Sequence, residues 1–173
     1  MTHDGSDRFD GQDGQDTAIE AWLDAMDEAL WAGLLAHPGR HWVFTRMAAE
    51  ATVGPLLLFP CSHDLGVSPD PSLRPDAQNA PGGLATSWTT EAFRTRFDAL
   101  PADVRSRAHA VHQLLQQHVD HSSLRFQEAA PEHQVWSVRI ARFWRALVRR
   151  TEPDITWLWI GRNDDFMDLL TQR

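Results

Sequence analysis

The segment from Val135 to Ile160 constrains this chain most. Trp136, Val138 and Ile140 alternate with Ser137 and Arg139, and Trp144, Ala146 and Val148 then alternate with Arg145 and Arg149. A period of two sends each set to its own side of a strand. Ile155 to Ile160 follows as an uninterrupted apolar run, the pattern of a central strand covered on both faces. The short connections between these strands favour antiparallel pairing, with tryptophan and aliphatic groups on one side and arginine on the other.

Upstream the period becomes helical. Phe93, Phe97 and Leu100 lie one turn apart, and Pro101 opens a second helix at the position where a missing N–H costs least. In that helix Val104, Ala108, Val111 and Leu115 form the stripe to be buried, while Arg105, Arg107, His112 and Gln116 face elsewhere. Downstream, Asn163 or Asp164 is placed to cap a last short helix carrying Phe166, Leu169 and Leu170. The fold expected is therefore α+β, a helical hairpin packed on an antiparallel sheet of three to four strands, and the chain contains no internal repeat.

The N-terminal half reads differently. Residues 1–16, with five Asp and three Gly, have the composition of a disordered acidic leader. From Thr17 to Ala36, Ile19, Trp22, Leu23, Met26, Leu30 and Leu34 recur at spacings of three and four among Glu20, Asp24, Asp27 and Glu28. This predicts an acidic amphipathic helix, ended by His37, Pro38 and Gly39. Trp42–Arg46 and Leu56–Phe59 are rich enough in β-formers to be short strands. Residues 62–85 carry Pro69, Pro71, Pro75, Pro81, Gly82 and Gly83, a linker composition. The organisation expected is a leader over 1–16, a helical extension over 17–61, a linker over 62–85 and a folded domain over 86–173.

Charge follows the same division. Residues 1–83 hold 13 Asp/Glu against 4 Arg, net −9, whereas residues 84–173 hold 11 Asp/Glu against 12 Arg, net +1. Every basic side chain is arginine, the better bidentate ligand for phosphate. No apolar run approaches the roughly 20 residues that span a bilayer. The acidic start lacks the basic and apolar segments of a signal peptide, so a cytoplasmic location is expected. The lone Cys61 cannot form an internal disulfide, in keeping with a reducing compartment.

Specific strings resemble the RelE/ParE toxins of bacterial type II toxin–antitoxin systems. Val135-Trp136-Ser137-Val138-Arg139-Ile140, then Trp144-Arg145-Ala146-Leu147, then Thr156-Trp157-Leu158-Trp159-Ile160-Gly161 is similar to that family's succession of an Arg-containing strand, a turn, a second strand and an apolar strand closing on Ile-Gly. Phe97-Asp98-Ala99-Leu100-Pro101 and His121-Ser122-Ser123-Leu124-Arg125-Phe126 resemble its helical hairpin and first strand. The resemblance covers about half the chain. It implies a toxin that inhibits translation by ribosome-dependent, metal-independent mRNA cleavage, with a cognate antitoxin, the ribosome and mRNA as partners. The alternatives are a ParE-like inhibitor of DNA gyrase that is not a nuclease, and a degenerate toxin fold that only binds.

Metal-free RNA cleavage needs proton-transfer groups and cations around the developing phosphorane charge. By family position Arg139, Arg145 and Arg162 are the expected catalytic cations on an open sheet face; Arg125, Arg149 and Phe166 are further expected as substrate contacts, and His133, a loop residue near the sheet, is a candidate proton carrier. The chain has no Tyr; Phe166 stands where relatives carry one, and Asn163 where they often carry His. Phenylalanine can stack on a base but cannot move a proton. His109 with His112, and His118 with His121, have helical ligand spacing, yet no carboxylate or cysteine completes a recognised pattern, so no metal or cofactor is expected. Cys61-Ser62-His63 is too short a string to argue a nucleophile. Trp136, Trp144, Trp157 and Trp159 fall on apolar strand faces and are expected in the core. Finally, the acidic helix over 17–36 has two readings: an unrelated extension, or a tethered partner that docks its apolar stripe on the toxin domain and lays its carboxylates over the arginines, at an effective concentration near millimolar, an order-of-magnitude figure.

Overall fold

A computed structural model describes residues 10–60 and 86–172. The expected linker, most of the leader and Cys61 lie outside the described residues. Five helices and one six-stranded sheet are present among the described residues. Helices α1 (Asp10–Ala36) and α2 (Arg40–Val53) lead into strand β1 (Leu57–Leu58). Strand β2 (Ser87–Thr89), α3 (Glu91–Asp98), α4 (Ala102–Gln117), β3 (Gln127–Ala130), β4 (Val135–Ala141), β5 (Trp144–Thr151), β6 (Asp154–Arg162) and α5 (Asn163–Thr171) follow. The fold is α+β, as the sequence predicts, with six strands where three to four were expected.

The sheet order is β1-β2-β6-β5-β4-β3. Strands β3 to β6 form the antiparallel meander, and β2 joins β6 in parallel, pairing Trp88 with Thr156. Both faces are covered. On one, Phe93 and Phe97 of α3 and Val104, Ala108 and Leu115 of α4 pack on Val138, Ile140, Ala146, Val148 and Trp157. On the other, Trp31 and Leu34 of α1, Val43 and Phe44 of α2, and Phe166 and Leu170 of α5 pack on Val135, Leu147, Leu158 and Trp159. The switch of face between Trp157 and Trp159 has a local cause. Leu147 pairs with Trp159 but Val148 with Trp157, so Leu158 is the extra residue of a bulge that rotates the next side chain to the other face.

Three local expectations need correction. Trp42–Arg46 is helical: Val43, Phe44, Met47 and Ala51 are buried at helical spacing in α2, and this packing overrides the β-forming composition. The first strand of the meander starts at Gln127, because Ser122–Leu124 closes into a 3-10 turn ended by Arg125 at φ 44. Most of the apolar stripe of α1, Leu34 excepted, is not its docking face. Ile19, Trp22, Met26 and Leu30 are exposed, Trp22 by 63 %, while Asp27, Trp31 and Leu34 are buried. The inward row runs through Glu20, Asp24, Asp27, Glu28, Trp31 and Leu34, acidic in its first half and apolar in its second.

Candidate functional site

The acidic half of that row lies over the turn joining β4 to β5. Arg139 and Arg145 are direct cross-strand partners, and residues directly opposite in a ladder share a face. Arg149 has the same parity, four residues along β5, so it sits about 13 Å away along the strand. The alternation in the sequence is thus realised, but the face is not open.

Asp27 is fully buried and holds the centre. Its Oδ2 accepts from Nη2 of Arg145 at 3.0 Å, while its Oδ1 accepts from Nδ2 of Asn163 at 2.9 Å and the backbone N–H of Phe143 at 3.1 Å. Glu28 accepts from Nη2 of Arg145 at 2.7 Å. Nη2 of Arg139 donates to Asp24 at 2.6 Å, and Arg142, in the turn, donates to Asp24 at 3.2 Å and to Glu20. The Arg139 guanidinium, with Arg142 beside it, holds the Asp24 carboxyl below its ordinary pKa. Trp31 covers Arg145 at 5.4 Å from ring centroid to Cζ, and its Nε1 donates to Ser137 at 3.0 Å. Arg145 is fully buried, yet its Nε and Nη1 have no hydrogen-bond partner among the described residues.

The turn itself is built to meet α1. Phe143 adopts φ 62, an uncommon conformation for an aromatic residue. Its N–H is held by Asp27, and its carbonyl accepts from the backbone N–H of Asn163 at the start of α5. Beside this network an open groove of about 870 Å³ is lined by Arg107 of α4, Arg125, Arg139, Arg142, Asp24 and Trp144 among others. Arg107 and Arg125 have no ion pair among the described residues.

The expected site residues therefore separate. Arg139 and Arg145 come together, and Arg125 shares the groove with Arg139. Arg149 is engaged by α2, with Nη1 at 3.4 Å from the Ala48 carbonyl and 3.3 Å from the Thr52 hydroxyl. Arg162 pairs across the ladder with Trp144, which places it on the opposite face from Arg145, and it bridges to Asp164 at 3.4 Å. It caps α5 through its own N–H, which donates to Asp165, so the cap lies before both of the residues expected, Asn163 and Asp164. Phe166 is fully buried between Trp31, Phe44 and Trp159, so it is a core residue in this structure and presents no face for stacking. His133 lies before β4 against Thr45 of α2, away from the arginine pair. His109 and His112 pack in the aromatic cluster of the first core, with His112 stacked on Phe59 at 3.9 Å. Sequence reasoning missed Arg142 as a member of the network; the only signal was its place in the turn between two Arg-bearing strands.

The arrangement presents two guanidinium groups from adjacent strands, a third from the turn and two more around a groove. These bind oxyanions, whether carboxylate or phosphate, by charge-assisted hydrogen bonds. No histidine lies among them, so the cluster offers charge stabilisation rather than a proton-transfer pair.

Residues 102–164, from the start of α4 to the first turn of α5, match the family described as ParE-like toxin domain. No curated protein and no solved structure matches the chain.

Proposed function

We propose that the protein, whose residues 102–164 match the ParE-like toxin domain family, is the toxin of a type II toxin–antitoxin pair, acting in the cytoplasm on translation by metal-independent mRNA cleavage at the ribosome, and that α1 keeps this activity latent. Arg139 and Arg145 hold the scissile phosphate in this reading. Arg125 at the groove extends the contact along the RNA backbone, and ribosomal groups supply the proton transfers for which the chain has no tyrosine.

One observation carries the reading. The carboxylates of Asp24, Asp27 and Glu28 occupy oxyanion positions around the Arg139–Arg145 pair, and they satisfy it incompletely. The Nε and Nη1 nitrogens of the buried Arg145 remain without partners among the described residues, an arrangement that costs free energy in a dry site. A pocket shaped only to bury an ion pair would use those donors; a phosphate, with more oxygens to offer, suits them better. A second reading, a toxin fold retained purely for binding, is favoured by Trp31 and Leu34, which make α1 part of the second core.

The charge-reversed variant Asp24→Lys/Glu28→Lys separates these. Both side chains retain solvent access, so the core is spared while the cover is repelled. On induction in cells, the variant is expected to stop amino-acid incorporation and produce cut transcripts by primer extension, whereas the unaltered chain does neither. Arg139→Ala in the same background restores growth. A change in plasmid supercoiling before translation fails would redirect the reading to gyrase, and normal growth of a folded variant would leave only a binding role.

A further inference from the structure

Away from the arginine face, α2 meets the 3-10 turn Pro131–His133 that precedes β4. Three potential metal ligands converge there. One ligand atom from each of His41, Glu132 and His133 lies within 4.8 Å of the other two. Nδ1 of His41 and a carboxylate oxygen of Glu132 are 3.6 Å apart, and the two imidazole rings are 5.8 Å apart between centroids. Two ligands of a tetrahedral ion at bond lengths near 2.1 Å stand about 3.4 Å apart. The His41–Glu132 pair already has that spacing, and small rotations of exposed side chains close the rest.

A neighbouring hydroxyl fixes the chemistry of His133. Thr45 donates its hydroxyl hydrogen to the His41 carbonyl at 2.7 Å, so toward Nε2 of His133, at 3.1 Å, its oxygen can only accept. Nε2 therefore carries the proton, and Nδ1 keeps the lone pair that a metal takes. A ring N–H anchored to the protein is the usual second contact of a ligating histidine.

The geometry points to a site for a divalent transition ion of the zinc class, bound by His41, Glu132 and His133 with water completing the shell, that clips α2 to the toxin domain. Two imidazoles and one carboxylate select zinc, nickel or copper over magnesium or calcium, which prefer oxygen donors. The site stands apart from the arginine pair and takes no part in phosphate chemistry, so it stands or falls independently of the proposed toxin activity. Its histidines are also not the helically spaced His109, His112, His118 and His121.

The test titrates the full, tag-free chain with Zn²⁺ by calorimetry and with Co²⁺ by visible absorption. One saturable site per chain is expected. His41→Ala and His133→Ala should each abolish it while the far-ultraviolet circular dichroism stays unchanged. Thr45→Val, which touches no metal, should weaken it by about 10- to 100-fold. Absence of saturable binding, or binding retained in both histidine variants, overturns the proposal, as does loss of binding in His109→Ala or His118→Ala instead.

Discussion

His112 is a histidine kept neutral by its surroundings. Burial against Phe59 and Trp157, with His109 nearby, pushes its pKa down from 6.5 to about 4. The unfolded chain therefore takes up the proton first as pH falls. Stability contributed by the neutral ring is complete above pH 6.5 and declines towards pH 4, by about 3 kcal/mol at the limit. Urea unfolding across this range should show that slope, and His112→Leu should flatten it. Asp27 poses the opposite case, a charge buried because it is paired. Asp27→Ala leaves Arg145 with Glu28 alone and takes the acceptor from the Phe143 N–H and the Asn163 amide; it should cost about 3–5 kcal/mol, whereas Asp27→Leu/Arg145→Met should recover most of that in denaturant melts. Arg139 and Arg145 were legible as neighbours because a strand's alternation is strict. A helix carboxylate over these arginines was also anticipated, but the full burial of Asp27 was not, because an acidic residue between apolar positions on a helix reads as solvent-facing; its burial depends on an arginine 118 residues away.

At the scale of elements, α1 shows how two valid stripes compete. Its hydrophobic positions at three- and four-residue spacing were plain in the sequence, yet the row that docks is the one combining carboxylates with Trp31 and Leu34. The arginine face decides this, since leaving Arg145 unpaired would cost more than exposing Trp22 and Met26. The hairpin of α3 and α4 and the three long strands were legible because their patterns are long and regular. Strand β1 falls within the short strand expected over Leu56–Phe59, whereas β2, of three residues, carries too little pattern to be read. The link from α1 to α2 also has a tight requirement. A Cβ on Gly39 would fall 2.4 Å from the Leu170 carbonyl oxygen of α5, a contact that only backbone movement relieves. Gly39→Ala should therefore lower stability by about 1–3 kcal/mol, the range for overpacking, as read by thermal unfolding.

Taken as a whole molecule, the sheet is clasped between two helical layers of different character, one sealed by aromatic packing and the other joined partly by charge. The outer ion pairs, Arg142 with Glu20 and Asp24, are partly exposed and so are open to screening. In about 1 M salt, where the Debye length is about 3 Å, limited proteolysis should cut the N-terminal half of α1 faster while leaving α4 protected. Acid should act at the same place: Asp24 is held ionised by Arg139, so its contribution persists above its unfolded pKa and is lost as pH falls through the lower folded value. No helix among the described residues is long and apolar enough to cross a membrane.

Because the helix that shields the arginines precedes them in the chain, it leaves the ribosome well before β4 and β5 are made. The shield is supplied one per molecule, at a local concentration set by tethering rather than by expression level. Neither dilution as cells divide nor turnover of a second protein can strip it. Whatever bares these arginines has to act on this polypeptide itself, by cutting it or by prying the helix loose.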